Sequence, residues 1–328
     1  VSSLKDFDYV YSGDFKKWVK YANSLKLRMA IRIADTSAGA LAQQKAEEAV
    51  ADIIGVMTEA GDAAYSIFND GLNPFYRAGY IWPGSTGVGE FRASASITSY
   101  MNGYKDPRLS LYFEKDDNGK YNGIRNGIRQ TTASYTASQK YSRVKVGESD
   151  PLLIMSAAEV CFLRAEGKLR GWNMGEGKLA KDWYEEGIRI SMAEKGATIG
   201  NYLSSTDKPS DYEDTNNAHN AMSEVCPKWN EGAGADEENM ERIMIQKWIA
   251  TYPSGWETWA DVRRTGYPKL FPIIDNLSSG VVNTNRGMRR LPYSQSEYNT
   301  NKANVDAAAA MLGGPDNGAT DLWWAKKQ

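Results

Sequence analysis

The sequence predicts a mainly α-helical protein in which helical hairpins alternate with large, irregular, loop-rich excursions. Apolar residues recur at three- and four-residue spacing in separate stretches, the period of one helix face. Short polar joins between neighbouring stretches favour antiparallel packing. Between the pairs the composition turns to Gly, Asn, Ser, Tyr and Pro over lengths too great for ordinary connections, and such loops are usually functional.

Asp14 caps the first stretch, where Phe15, Trp18, Val19, Ala22, Leu25 and Met29 share a face that ends near Asp35. A second stretch from Ala40 to Ala60 carries Leu41, Ala49, Ile53, Ile54 and Met57, and the join at Thr36 to Gly39 makes the two a helical hairpin. From Gly61 to Gly147 the pattern is irregular, with turns at Asn118-Gly119, Asn122-Gly123 and Asn126-Gly127 and one short helix near Ala93 to Gly103. Helical texture returns at Pro151 to Gly171, with proline read as the first helical residue, and Lys178 to Lys195 supplies its partner. A polar stretch from Gly196 to Gly234 leads to helices at Asp236 to Tyr252 and Trp256 to Arg264. From Pro268 onward the chain reads as irregular, with Arg289 to Tyr293 extended. One region, 1–328, thus holds helical segments at about 14–60, 151–196 and 236–264 and loop-rich segments at about 61–150, 197–235 and 265–328. This is the pattern of a repeat scaffold carrying loops on one side.

Composition narrows the function. The 328 residues hold 39 Lys+Arg against 41 Asp+Glu, a net charge of −2, with 41% hydrophobic residues. A cored globular protein follows, without the clustered cations that grip nucleic acid through counterion release. The longest apolar run, Leu152 to Leu163, is interrupted by Ser156 and Glu159, so no segment has the length of a bilayer crossing. The start, Val1-Ser2-Ser3-Leu4, has no signal-like apolar core. Cys161 lies in an apolar helical pattern and reads as a buried thiol, Cys226 is the only other cysteine, and a disulfide between them is left open. The single histidine, His219, sits in a polar run and reads as a loop residue. Asp116-Asp117-Asn118-Gly119 lacks the glutamate that completes a calcium loop and reads as a turn. Met174 to Lys178 lacks the phosphate-loop spacing and reads as a helix connection. No metal or cofactor is expected.

Several segments, in order along the chain, resemble the SusD/RagB family of outer-membrane nutrient-binding lipoproteins of Bacteroidetes. They include Tyr11-Ser12-Gly13-Asp14-Phe15, Asn73-Pro74-Phe75, Asp106-Pro107-Arg108-Leu109, and Ser156-Ala157-Ala158-Glu159 running to Arg164-Ala165-Glu166. Gln246-Lys247-Trp248, Gly255-Trp256-Glu257, Arg263-Arg264-Thr265-Gly266-Tyr267-Pro268 and Arg289-Arg290-Leu291-Pro292-Tyr293 follow. The chain looks like roughly the C-terminal two-thirds of a member. The resemblance implies tetratricopeptide-like helical hairpins beside a loop-rich lobe, and non-catalytic capture of a glycan at the cell surface. It also implies delivery to a SusC-like TonB-dependent transporter, and attachment to the outer membrane by an N-terminal lipid anchor that lies before this chain.

A glycan site needs flat exposed aromatics beside amides, carboxylates or guanidinium groups, because sugar rings offer apolar C–H faces rimmed by hydroxyls. Between Tyr65 and Trp82 there are six aromatics in eighteen residues, interleaved with Asn69, Asp70, Asn73 and Arg77. A satellite core beneath the loops is the plainer use of any one ring. Trp82, followed by Pro83-Gly84, and Tyr80 are the strongest candidates because a loop tip is hard to bury. Tyr76, Arg77 and Asn73 join them, and Asn122, in a stretch that also reads as a plain hairpin, completes the set. Trp18, Trp183, Trp248, Trp256 and Trp259 sit at helical spacing and read as core packing, with Arg263 and Arg264 stacking on tryptophan or pairing with Asp261. Two alternatives remain: a subunit that captures peptide or only contacts the transporter, and a glycoside hydrolase using Glu90, Asp106 or Glu114.

Overall fold

In a computed structural model, which describes residues 2–67, 72–81, 91–128, 140–214 and 217–325, the Asp14 carboxylate accepts hydrogen bonds from the N–H groups of Lys16 and Lys17. That cap starts α1, Phe15–Arg32, whose Leu27, Ala30 and Ile31 are buried. Helix α2, Gly39–Ala51, packs antiparallel on it through Ala42, Ala46 and Ala49. These small side chains at helical spacing leave no accessible surface and let the two backbones approach closely. The expected extension of α2 to Ala60 does not form. Asp52 turns the chain by accepting from the N–H groups of Ile54 and Gly55, and Gly55 takes a φ of +76° that favours glycine. Ile53 is left in solvent, while Val56 and Met57 dive back into the core.

Strand β1, Ala64–Ser66, pairs antiparallel with β2, Leu152–Met155, with Ala64 opposite Met155. Between them lie the short helix α3, Pro74–Tyr76, which continues into a π turn over Arg77–Ile81, then α4, Ala95–Gly103, and α5, Leu109–Tyr112. The helix expected from Pro151 therefore starts later. Leu153 and Met155 point inward and Ile154 outward, a two-residue alternation that makes this stretch a strand. Ser156 is the true cap: its hydroxyl accepts from the Ala158 N–H and begins α6, Ala157–Leu169.

Helix α6 is the centre of the scaffold. It packs against α1, against its hairpin partner α7, Ala180–Lys195, and against α8, Asp236–Thr251, on which α9, Gly255–Thr265, folds back. Gly196 and Gly266, at φ of +69° and +89°, end α7 and α9 in the left-handed conformation. The C-terminal stretch also contains two helices not expected from the sequence, α10, Gln295–Thr300, and α11, Lys302–Ala310. Ser294 caps the first, and the four alanines from Ala307 carry high intrinsic propensity in the second. Leu27 of α1, Val160 and Phe162 of α6, Ile188 of α7 and Ile245 of α8 belong to one continuous core.

Buried charges lock these pairs together. Arg28 of α1 forms a two-point pair with Glu159 of α6 at 2.8 and 2.6 Å, and Lys247 of α8 reaches Glu159 at 3.5 Å and Asp261 of α9 at 2.8 Å. A second buried cluster explains the Asp106-Pro107-Arg108 motif. Arg108, with no accessible surface, holds both Asp106 oxygens at 2.9 and 2.6 Å and donates to Ser191 and Gln246, while Tyr202 donates to Asp106 at 2.7 Å. Asp106 is thus wholly engaged inside the protein and is unavailable as an acid or base.

Candidate functional site

Asn73 positions the aromatic segment. Its Oδ1 accepts from the N–H groups of Phe75 and Tyr76 at 2.8 and 3.3 Å, and its Nδ2 donates to the Asp150 carbonyl at 2.9 Å. With Pro74 at the first helical position, this cap sets the helical turn and hence the direction of the side chains after it. Asn73 is 3% exposed, so it holds the site rather than facing a ligand.

Four residues apart on that turn, Tyr76 and Tyr80 stack with ring centroids 5.0 Å apart and planes 13° from parallel. The spacing places both rings on one face. The Tyr80 hydroxyl donates to the Val144 carbonyl at 3.1 Å. Burial and the nearby Glu114 raise its pKa, so it remains a neutral hydrogen-bonding phenol. Both rings are half-buried, and Arg77 between them is exposed.

The partner of Tyr80 lies on an extended segment that also fixes Asn122. Residues 142–145 pair on one side with 112–114, through Glu114 N–H to Arg143 O and Lys145 N–H to Tyr112 O. On the other side Ser142 donates its N–H to the Asn122 carbonyl at 2.9 Å, and its hydroxyl accepts from the Asn122 N–H at 2.9 Å. Val144 and Ser142 are two residues apart, about 7 Å along an extended strand, so the tyrosine pair and the Asn122 turn are anchored on the same ribbon. Arg92, Arg143 and Glu114 lie around Tyr80, with Arg143 and Glu114 3.9 Å apart. Arg92 and Arg143 were not singled out in the sequence, and Glu114 was named only as a candidate hydrolase acid, because only the pairing of Arg92 with Arg143 brings the three beside the tyrosines.

Trp82 and Glu90 lie outside the described residues. Trp183 is buried with Arg164 3.4 Å from its ring centre, as helical spacing predicts. Trp256 departs from that expectation: it is 70% exposed and leans on Trp259 with centroids 5.9 Å apart. Its helix has only one covered face, and position 256 falls on the other. Arg263 stacks on Trp259 at 3.7 Å, and Arg264 pairs with Asp261 and Glu166. Cys161 and Cys226 are both free thiols. Among the described residues no group of three His, Cys, Asp or Glu is placed to hold a metal, and no helix is long and apolar enough to cross a membrane.

A helical scaffold that holds an aromatic and guanidinium surface on a loop-rich lobe defines a ligand-binding protein. The chain belongs to the SusD-like family, described as Susd and RagB outer membrane lipoproteins, whose model matches residues 1–325. Members of this family are non-catalytic binding proteins, and this chain is one rather than an enzyme. Among solved structures it is similar to a SusD homologue from Bacteroides uniformis, with 45% identity and a TM-score of 0.94 over 100% of this chain and 68% of that one. It is also similar to a chitin-binding SusD homologue from Flavobacterium johnsoniae, with 38% identity and a TM-score of 0.92 over 100% of this chain and 67% of that one. A SusD-like protein from Bacteroides thetaiotaomicron aligns at 42% identity and a TM-score of 0.90, with 100% and 68% covered. No curated protein matches the sequence. The chain spans about two-thirds of the length of these relatives.

Proposed function

We propose that the chain captures carbohydrate at the outer-membrane surface and passes it to a SusC-like TonB-dependent transporter, with Tyr76, Tyr80, Arg77 and Asn122 forming part of the binding surface. The stacked pair Tyr76 and Tyr80, held by the Asn73 cap and the Val144 carbonyl, carries this reading. Two rings fixed by independent anchors lose little freedom when a sugar ring lies against them. Arg77 and Asn122 make no side-chain hydrogen bond among the described residues and supply donors for hydroxyls at the rim. Trp82, close in sequence and outside the described residues, is proposed as a further ligand contact. Family membership supports the transporter partner and the lipid anchor.

Affinity electrophoresis tests the reading. Gels cast with a panel of polysaccharides, beginning with soluble glycol chitin because a similar protein is chitin-binding, should retard the chain selectively. A Tyr76→Ala, Tyr80→Ala variant with unchanged helicity should run freely. Retardation that survives in this variant would move the site elsewhere, and a folded chain that no glycan retards would overturn saccharide capture.

A further inference from the structure

We propose that the cleft between α9 and the segment 268–289 is a second ligand site, selective for an acidic saccharide, that is, a sugar ring bearing a carboxylate. The cleft has a volume of 530 Å³, within the range of small-ligand sites. Among the described residues its lining includes Arg263, Lys269, Arg286 and Arg289 and no aspartate or glutamate, in a chain whose net charge is −2. Two carboxylates behind the wall meet part of this charge. Asp321 is shared by Arg286 and Arg289 at 2.9 and 2.6 Å, and Glu241 pairs with Lys269 at 2.8 Å.

Among the described residues Arg263 has no carboxylate of its own. It is 7% exposed, and it donates to the backbone carbonyls of Trp259 at 3.1 Å and Arg289 at 3.0 Å. The ring centres of Trp259 and Trp324 lie 3.7 and 4.7 Å from its guanidinium. The nearby acid, Glu257, is bound to Arg32. Burial, then the like charges of Arg32 and Arg289, push the Arg263 pKa down to about 10. A buried cation without a counterion is costly, and an anion entering the cleft recovers Coulomb energy where water screens it least.

The remainder of the wall selects a sugar ring over a bare anion. Trp259 contributes indole surface while its N–H is engaged by the Met288 carbonyl at 2.9 Å. Asn126, Thr284 and Asn285 also line the cleft and supply amide and hydroxyl partners for ring hydroxyls. The inference shares with the proposed function only the idea that the ligand is a saccharide, and it uses none of the same residues.

Titration calorimetry with trigalacturonate and with neutral galactotriose tests it. Trigalacturonate should bind at least tenfold more tightly than galactotriose and weaken as salt rises from 50 to 300 mM. Arg263→Gln should weaken it about tenfold or more, Arg263→Lys should restore part of the loss, and the Tyr76→Ala, Tyr80→Ala variant should bind it as wild type does. If Arg263→Gln does not fold, Lys269→Gln, at the half-exposed rim, should weaken binding and flatten the salt dependence. Equal affinity for the two trimers, no binding of trigalacturonate, or undiminished binding by a folded Arg263→Gln would each overturn the proposal. Failure of the tyrosine variant to affect glycan retardation would count against the first site alone.

Discussion

Arg264 of α9 and Glu166 of α6, 98 residues apart in sequence, meet in a two-point ion pair at 2.5 and 2.9 Å with both side chains out of water. Arg264 also reaches Asp261 at 3.1 Å, and Asp261 joins Lys247, Glu159 and Arg28, so one run of charges crosses four helices. The helical pairs are therefore held in register by electrostatics as well as by apolar packing.

Breaking this pair on one side leaves an uncompensated buried charge. Glu166→Ala should lower unfolding stability by about 3–5 kcal/mol in urea titration, whereas the double variant Glu166→Leu, Arg264→Met should recover most of the loss. A double variant no more stable than the single one would show that the pair does more than balance charge.

Acid should weaken the fold through the same network. Burial alone would raise the pKa of Glu159 and Asp261, but Arg28 and Lys247 outweigh it for the first, and Lys247 and Arg264 for the second, so both are held below the ordinary value. Their folded values lie below the unfolded ones, about 4.3 and 3.9, so they stabilise the fold above that range and lose this effect as pH falls through the folded values. Below about pH 4.3 the unfolded state binds more protons, and stability should fall with pH. The urea midpoint followed from pH 7 to pH 3 should show this decline, and Glu159→Gln should make it shallower.

Two tryptophans on helices should respond unequally to truncation. Trp183→Ala should cost about 3–5 kcal/mol because it empties a buried site, whereas Trp256→Ala, at a position 70% exposed, should cost less than about 1 kcal/mol. Thermal melts of the two variants compare them directly.

Thiol labelling offers a further check on packing. Cys161 is 1% exposed and burial pushes its thiol up to about 12, whereas Cys226 is partly accessible. Native protein should react with a thiol reagent rapidly at one site, and denatured protein at two. Rapid reaction at both in the native state would mean that α6 opens readily.

Local signals were legible where they act within one turn. Asp14 starts α1 and Gly196 ends α7 through contacts to residues a few positions away, and a single chain shows these without tertiary information. The expected end of α2 failed because helical spacing outweighed Asp52 and Gly55, which turn the chain together. Pro151 misled because a short apolar run suits a strand and a buried helix alike, and only the pairing of Leu152–Met155 with Ala64–Ser66 decides between them. Trp256 misled because periodicity gives a face but not which neighbour covers it.

By itself the sequence determined most helix periods, the Asp14 cap, the loop-rich interruptions and the family, since each depends on nearby residues or on ordered motifs. The aromatic concentration between Tyr65 and Trp82 was visible in the same way. Only the tertiary structure decided that Tyr76 stacks on Tyr80, that Ser142 and Val144 bring Asn122 onto their ribbon, and that Arg263 lines a cleft with no carboxylate of its own among the described residues. Apart from the Tyr76–Tyr80 stack, such meetings join residues 20 to 64 positions apart. Their geometry follows from how whole helices and loops pack, and local propensity carries no record of it.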